Sequence, residues 1–200
     1  MKAGFPIARP GMRIGVLGGS FDPAHEGHLS ISRAALARLA LDRVWWMVSP
    51  GNPLKPHGPA PLDRRLRAAR ALVRDPRIIV TDIEARLGLR KTADTLEALR
   101  RLYPGVHLVW LMGSDNLMQF HHWDRWRNIA AHVPFAVMAR PGTRLGARTA
   151  PAARALQSAR LPEYRAAELA THSPPAWTLL NLPMSPLSST ALREGKRHDD

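Results

Sequence analysis

The sequence predicts an α/β fold, a doubly wound parallel sheet with helices on both of its faces. Short apolar runs alternate with segments of helical pattern along most of the chain, which is the order that crossovers between parallel strands produce. The run 44–48 is continuously apolar, as expected of a strand that is covered on both faces. The first apolar run also leads through two glycines directly into a helical segment.

Each element follows from its local pattern. Short runs made up mainly of apolar residues predict strands at 13–17, 44–48, 78–81, 106–112, 135–139 and 177–182. Helical spacing of apolar residues predicts helices at 29–40, 62–73, 92–102 and 191–196. The arginines of the second helix are interpreted as a solvated face, and Thr92 as the cap of the third. Residues 143–160 are rich in alanine and arginine and carry no clear pattern.

Length and composition limit the class of protein. A chain of 200 residues is one domain's worth, so we expect a single domain over residues 13–200 behind a disordered lead, 1–12, that contains prolines and glycines. The absence of cysteine excludes disulfides and thiolate metal sites. No apolar run has the length of a membrane span, and the N-terminal residues lack the core of a signal peptide. Cytoplasmic localisation is therefore predicted by elimination.

The net charge of +13 is mostly due to arginine and favours anionic ligands. Nucleic acid and phosphate-rich small molecules would both be attracted. The basic residues are scattered along the chain, and no RNA-recognition or zinc-finger pattern is present. The sequence thus predicts no nucleic-acid partner and no membrane partner.

The most informative stretch follows the first predicted strand. Gly18 and Gly19 allow a sharp turn and the close approach of a ligand. The helix start behind them offers free N–H groups, and His25 and His28 are spaced to share one helical face. These groups would converge on a phosphate. A plain glycine turn with two surface histidines is an alternative, as is zinc, although the pair is one residue short of the HExxH pattern.

Two motifs carry a family resemblance. Gly19-Ser20-Phe21-Asp22-Pro23 followed by His25-Glu26-Gly27-His28 resembles the signature of the nucleotidylyltransferases. Ser188-Ser189-Thr190-Ala191-Leu192-Arg193 is similar to the Ser-Ser-Thr-x-x-Arg element of the same superfamily. The resemblance implies a Rossmann-like fold and a site for a nucleoside triphosphate.

Two further stretches resemble the nicotinate mononucleotide adenylyltransferases. Arg86, Gly88 and 92–96 match their Arg-x-Gly-x-Ser-Tyr-Thr-x-Asp-Thr-Leu element, except that Arg90-Lys91 replaces Ser-Tyr. The segment around Trp123 is similar to their aromatic segment. The resemblance implies that Asp22, Thr92 and Trp123 bind the nicotinate nucleotide, with Trp123 stacked on its ring. For Asp22, orientation of a histidine, of a metal-bound water or of the turn itself are alternatives.

The resemblance also implies the ATP site. His28 is assigned to the α-phosphate and the transition state, and His25 to phosphate alignment. The other implied contacts to ATP and its phosphates are Gly18, Gly19, Ser20, Phe21, Lys55, Gly113, Asp115, Arg140, Ser188, Ser189, Thr190 and Arg193. Mg²⁺ is expected to be bound through ATP, because the chain offers no carboxylate cage of its own.

The implied activity is transfer of the adenylyl group of ATP to nicotinate mononucleotide, with release of pyrophosphate, in NAD biosynthesis. The nearest alternative is another small nucleotidylyltransferase, such as phosphopantetheine adenylyltransferase or a cytidylyltransferase. A non-catalytic nucleic-acid binder is an alternative from a different class. The sequence leaves the oligomeric state open between monomer and homodimer.

Overall fold

The computed structural model describes residues 4–51, 58–139 and 144–182. Within these residues the strands form one parallel sheet in the order β3-β2-β1-β4-β5-β7-β6. The strands are β1 Arg13–Gly19, β2 Arg43–Val48, β3 Ile78–Thr81, β4 His107–Gly113, β5 Phe135–Ala139, β6 Arg160–Leu161 and β7 Trp177–Asn181. The predicted parallel α/β fold is confirmed.

Helices connect these strands. The α-helices are α1 Glu26–Arg38, α2 Leu62–Leu72, α3 Ile83–Leu87, α4 Thr92–Leu102, α5 Ser114–Gln119, α6 Trp126–His132, α7 Arg144–Thr149 and α8 Pro151–Ala155. Short 3₁₀ helices are Phe120–His122, Gln157–Ala159 and Glu163–Thr171. The helix predicted at 191–196 lies outside the described residues.

Apolar side chains pack on both faces of the sheet. Trp45 belongs to the cluster that α4 and α6 cover, whereas Trp46 belongs to the cluster that α1 and α2 cover, and both side chains are fully buried. Successive residues of a strand point to opposite faces, so a strand in the middle of the sheet needs apolar residues at every position. This explains the uninterrupted run of β2.

The strand order reverses between β1 and β4. From β1 the chain moves outward to β2 and β3, and then returns to the other side of β1 with β4. Open α/β sheets bind ligands at such a point, at the carboxyl ends of the strands. Leu17 of β1 lies opposite Leu111 of β4, so the two strands end together, at Gly19 and Gly113.

The N-terminal lead differs from its prediction. The Tyr103 hydroxyl donates a hydrogen bond to the Pro6 carbonyl at 2.8 Å, and the Gly11 amide donates to the Gly105 carbonyl at 2.7 Å. The Arg43 guanidinium donates to the carbonyl of Ile7 at 3.0 Å. Residues 4–12 are therefore held against the domain. The prolines and glycines of this segment predict disorder. The prediction fails because the hydrogen-bond partners of the segment lie far away in the sequence.

The prediction that Gly18 and Gly19 form the turn is wrong, because both are the last residues of β1 and the turn begins only after them. A Cβ atom on Gly18 would lie 2.5 Å from Cη2 of Trp110, which is closer than packed atoms approach. A Cβ atom on Gly19 would meet Phe21 at 3.5 Å, an ordinary contact. The absence of a side chain at Gly18 therefore allows the Trp110 ring to lie against β1.

We predict that Gly18→Ala lowers the free energy of unfolding by about 1–3 kcal/mol, the usual cost of overpacking a core. Gly19→Ala is the matched control, and it should be neutral or slightly stabilising because alanine restricts the unfolded chain. Thermal or urea unfolding of both variants measures the difference. Equal stability of the two variants would show that the Trp110 contact does not constrain position 18.

Candidate active site

Two histidines form the start of α1. His25 is the N-cap residue, and its Nδ1 accepts a hydrogen bond from the Gly27 amide at 3.1 Å. His28 is at the third helical position, and its Nδ1 accepts from the His25 amide at 3.2 Å. This reciprocal pair is a capping box, built from two imidazoles in place of the usual Ser or Thr and Glu. We call it the histidine cap.

The histidine cap determines which nitrogen of each ring donates. A ring nitrogen that accepts an amide N–H cannot itself carry a proton, so each neutral ring is protonated at Nε2. The ring centroids are 4.0 Å apart. The prediction that His25 and His28 share one face is confirmed. Each Nε2–H is a donor of the kind that phosphate oxygens accept; His25 Nε2 is buried, and His28 is half-buried.

Aromatic side chains pack against the ring of His28. Phe21, which is 1% exposed, lies 4.7 Å from the His28 ring and stacks on Trp46 at 5.0 Å. The Trp46 indole N–H donates to Ser32 Oγ at 2.7 Å, and the Ser32 hydroxyl donates to the His28 carbonyl at 2.8 Å. The Phe21 ring thus supports a histidine, although the sequence assigns Phe21 to ATP. Sequence reasoning missed Trp46 and Ser32.

Phe21 has a positive φ of 47°, in the left-handed region that is uncommon for bulky residues. Such a conformation persists only where surrounding contacts determine it. The stacked Trp46 ring provides one such contact. The turn between β1 and α1 is therefore shaped by packing beneath it, and glycine does not provide its unusual backbone angle.

The same turn is tied to the segment that precedes α2. Asp22 Oδ2 accepts a hydrogen bond from the Ala60 amide at 3.1 Å. Arg65 of α2 is 2% exposed and donates to the Ser20 carbonyl at 2.7 Å. The prediction that the arginines of α2 form a solvated face is wrong for Arg65. Helical spacing could have identified it, because Arg65 lies on the apolar side with Leu66 and Ala69.

A second group of predicted residues lies on the other face of the sheet. Trp123 is half-buried, with its ring edge-to-face against Phe120 at 5.5 Å and Trp110 at 6.5 Å. Thr92 is half-buried at the first position of α4. The N-cap of α4 is Lys91, whose side chain makes no capping bond, so the prediction that Thr92 caps this helix is wrong.

Ion pairs join the start of α4 to the turn that carries Trp123. Lys91 pairs with Asp124 at 3.5 Å, Arg125 pairs with Asp94, and Arg125 also lies 4.0 Å from Glu97. These pairs are substantially exposed, so each contributes little to stability. They do show that the segments carrying Thr92 and Trp123 are neighbours in the fold.

The end of β4 completes the described part of the site. Gly113 is the N-cap of α5, and Asp115 lies partly buried in the first turn of that helix. Both residues lie at the carboxyl edge of the sheet beside the end of β1. The remaining predicted phosphate contacts, Lys55, Arg140, Ser188, Ser189, Thr190 and Arg193, lie outside the described residues.

Within residues 4–51, 58–139 and 144–182, no group of three or more His, Asp or Glu side chains is arranged to hold a metal ion. None of the helices in those ranges is long and apolar enough to cross a membrane.

Comparisons with known proteins identify the family. Residues 16–195 match the cytidylyltransferase-like family. The probable nicotinate-nucleotide adenylyltransferase of Roseobacter denitrificans is 58% identical over 96% of this chain and 97% of its own length. The corresponding protein of Cereibacter sphaeroides (strain ATCC 17025) is 64% identical over 91% of this chain and 97% of its own length. The chain belongs to the nicotinate-nucleotide adenylyltransferase family.

Solved structures agree on the fold. Plasmodium falciparum nicotinic acid mononucleotide adenylyltransferase complexed with NaAD superimposes with a TM-score of 0.71, covering 92% of this chain and 83% of the other. The identity is 17%, so this likeness shows the fold alone. The Rossmann-like nucleotidylyltransferase fold that the sequence predicts is confirmed.

This member of the nicotinate-nucleotide adenylyltransferase family has a buried carboxyl group beneath the start of α4. Glu84 of α3 is 6% exposed, and its Oε1 accepts a hydrogen bond from the Thr95 hydroxyl at 2.9 Å. Burial raises the pKa of Glu84, and the bond from Thr95 lowers it by a smaller amount. Glu84 thereby ties α3 to the helix that begins at Thr92.

The raised pKa of Glu84 predicts a dependence of stability on pH. Above the ordinary glutamate pKa of about 4.3, the folded protein keeps this proton while the unfolded chain loses it. The free energy of unfolding should therefore fall as pH rises from that value through the raised pKa. Glu84→Gln retains the oxygen that accepts from Thr95 and removes the ionisation, so its melting temperature should fall less across this range.

Calorimetry of the wild type and Glu84→Gln between about pH 4 and 8 checks this prediction. Glu97→Gln is the control, because Glu97 lies on an exposed face of α4. Parallel pH profiles for the wild type and Glu84→Gln would contradict it.

Proposed function

We propose that this protein transfers the adenylyl group of ATP to nicotinate mononucleotide, giving nicotinate adenine dinucleotide and pyrophosphate in NAD biosynthesis. Curated relatives of high identity over nearly the whole chain carry the corresponding name. The observation that carries the proposal is the histidine cap, which places the His25 and His28 imidazoles side by side at the carboxyl edge of β1. A structural neighbour was solved in complex with NaAD, which has the chemistry of the proposed product.

The proposed reaction is direct in-line displacement. An oxygen of the 5′-phosphate of nicotinate mononucleotide attacks the α-phosphorus of ATP, and the bond from this phosphorus to the bridging oxygen breaks. The electron pair of that bond leaves with pyrophosphate. The attacking group is already largely ionised near neutral pH, because the second pKa of a phosphomonoester is about 6. No general base is required.

The role of the protein is positioning and electrostatic stabilisation. We assign His28 Nε2–H to an oxygen of the α-phosphate, where negative charge must be stabilised during displacement. His25 aligns the neighbouring phosphate oxygens. The positive end of the α1 dipole acts in the same direction as both donors. Mg²⁺ is proposed to enter as part of the substrate, bound through the oxygens of ATP and water.

The acceptor nucleotide is proposed to bind on the α4 and α6 side of the same edge. Trp123 would stack on the pyridine ring, and the start of α4 at Thr92 would direct amide N–H groups toward the nicotinate carboxylate. Asp22 has one oxygen engaged by the Ala60 amide. We therefore favour a role for Asp22 in ordering the turn, one of the alternatives that the sequence left open.

Pyrophosphate release with different acceptors tests the proposed function. We expect turnover with ATP and nicotinate mononucleotide, and much less with phosphopantetheine. The nicotinamide counterpart, measured in parallel, reports how the site distinguishes a carboxylate from an amide. Preferred turnover with phosphopantetheine would overturn the assignment in favour of the other small nucleotidylyltransferase.

Cytoplasmic localisation and the absence of a nucleic-acid partner stay predictions.

We predict that His28→Ala lowers kcat by roughly 10²-fold or more, the scale seen when one preorganised transition-state donor is removed. This variant also loses the acceptor of the histidine cap. His28→Glu separates the two effects, because glutamate at this position restores a capping box without supplying a donor. It should recover much of the melting temperature and none of the turnover.

His132→Ala is the control, since His132 lies exposed at the end of α6. Turnover close to that of the wild type in folded His28→Ala would remove His28 from the mechanism.

We predict that Trp123→Ala raises KM for nicotinate mononucleotide about tenfold, since stacking of one base on an aromatic side chain contributes about 1–3 kcal/mol. Trp123→Phe keeps a stacking surface and should recover most of this loss. Steady-state kinetics with each substrate varied in turn measures both effects. A rise in KM for ATP alone would place Trp123 on the wrong side of the site.

A further inference from the structure

Arg65 is a buried cation whose described hydrogen-bond acceptors are backbone carbonyls. Its Nε donates to the Ala60 carbonyl at 2.6 Å, and its Nη1 donates to the carbonyls of Ser20 and Ser49 at 2.7 and 2.8 Å. Its Nη2 lies 3.4 Å from the Pro50 carbonyl. One side chain thus joins the turn after β1, the end of β2 and the segment before α2.

The position of Arg65 is electrostatically unfavourable for its guanidinium. Arg65 is the fourth residue of α2, near the positive end of the helix dipole. Burial lowers the pKa of its guanidinium, while the nearby Asp22 carboxylate raises it. Desolvation of a charge is costly, so a cation persists here only because its hydrogen bonds to the surrounding carbonyls offset that cost. The arrangement therefore points to a role in positioning.

The residues that Arg65 holds lead directly to the histidine cap. Ser20 precedes Phe21, whose left-handed backbone places its ring against His28. Asp22, the next residue, accepts from the Ala60 amide, while Arg65 binds the Ala60 carbonyl. The amide of Ala60 is thus bound by the turn after β1, and its carbonyl is bound by α2. We call Arg65, Asp22 and these backbone groups the Arg65 brace.

We propose that Arg65 is a positioning residue for adenylyl transfer, which fixes the Ser20–Asp22 turn and through it the orientation of the His28 ring. This inference rests on the proposed function. Only a planar guanidinium can place its donors on carbonyls in several directions at once, and the compact ammonium of lysine cannot reproduce that fork. The brace lies on the α1 and α2 face of the sheet, whereas Trp123 packs on the other face.

The kinetic test compares Arg65→Lys and Arg65→Met with Arg64→Met. Arg64 precedes Arg65 on α2 and is exposed. The variant Arg64→Met therefore removes the same charge without removing the buried hydrogen bonds. We expect Arg65→Met to lower kcat tenfold or more, Arg65→Lys to recover part of this loss, and KM for nicotinate mononucleotide to stay within about twofold. Because a smaller folded fraction would also lower the apparent kcat without changing KM, kcat is calculated per folded molecule, with the folded fraction measured by circular dichroism at the assay temperature. Arg64→Met should match the wild type.

A double-mutant cycle with His28→Ala tests whether Arg65 acts through His28. If it does, Arg65→Lys should lower kcat much less in the His28→Ala background than in the wild type, because the ring that the brace orients is already absent. Equal losses in both backgrounds would overturn the proposal. Wild-type kcat in Arg65→Lys would overturn it as well.

Hydrogen exchange provides a readout that does not depend on activity. Amides in peptides covering 18–28 should exchange faster in Arg65→Lys than in the wild type or in Arg64→Lys, measured well below each melting temperature. Unchanged exchange would overturn the brace whatever the kinetics show. If the wild type shows no turnover, and exchange is still faster in Arg65→Lys than in the wild type, the proposed function is contradicted. The structural part of the Arg65 brace is then still supported.

Discussion

The two hydrogen bonds by which the rings of His25 and His28 accept backbone amides at the start of α1 are the constraint on which the rest of the site depends. A helix start leaves amide N–H groups without intrahelical acceptors, and here two ring nitrogens accept from them. Because each Nδ1 is used in this way, each Nε2 carries the proton of the neutral ring. The same bonds that begin the helix therefore prepare two donors for phosphate.

At the carboxyl edge of the sheet, different groups of side chains pack on its two faces. Beneath His28, the rings of Phe21 and Trp46 pack with α1 and α2, and Arg65 holds the backbone of the turn. On the opposite face, Trp110 packs beside Gly18 and supports Trp123. The reversal of strand order between β1 and β4 brings these two sides together. The end of β1 thus lies between the two sides that are proposed to bind the triphosphate and the pyridine nucleotide.

Local pattern was enough for most strands and for the position of the histidines. The run of β2 is buried on both faces, so its apolar composition alone predicts it, and helical spacing places His25 and His28 together. Contacts between distant segments were not predictable in this way. Helical spacing places Arg65 on the apolar side of α2, but it does not identify the carbonyl partners, which come from three other segments. The partners of the lead 4–12 are distant in the same way.

The amino-acid sequence by itself determined the parallel α/β order, the family and the pairing of His25 with His28 at the start of one helix. Spacing and residue type are sufficient there, since those features depend on neighbours a few positions away. Tertiary structure alone decided that Gly18 makes room for Trp110, that Phe21 supports a histidine, and that Lys91 precedes α4 in place of a Thr92 cap. Each of these outcomes depends on a contact or a backbone angle that is set by packing between segments remote in the chain.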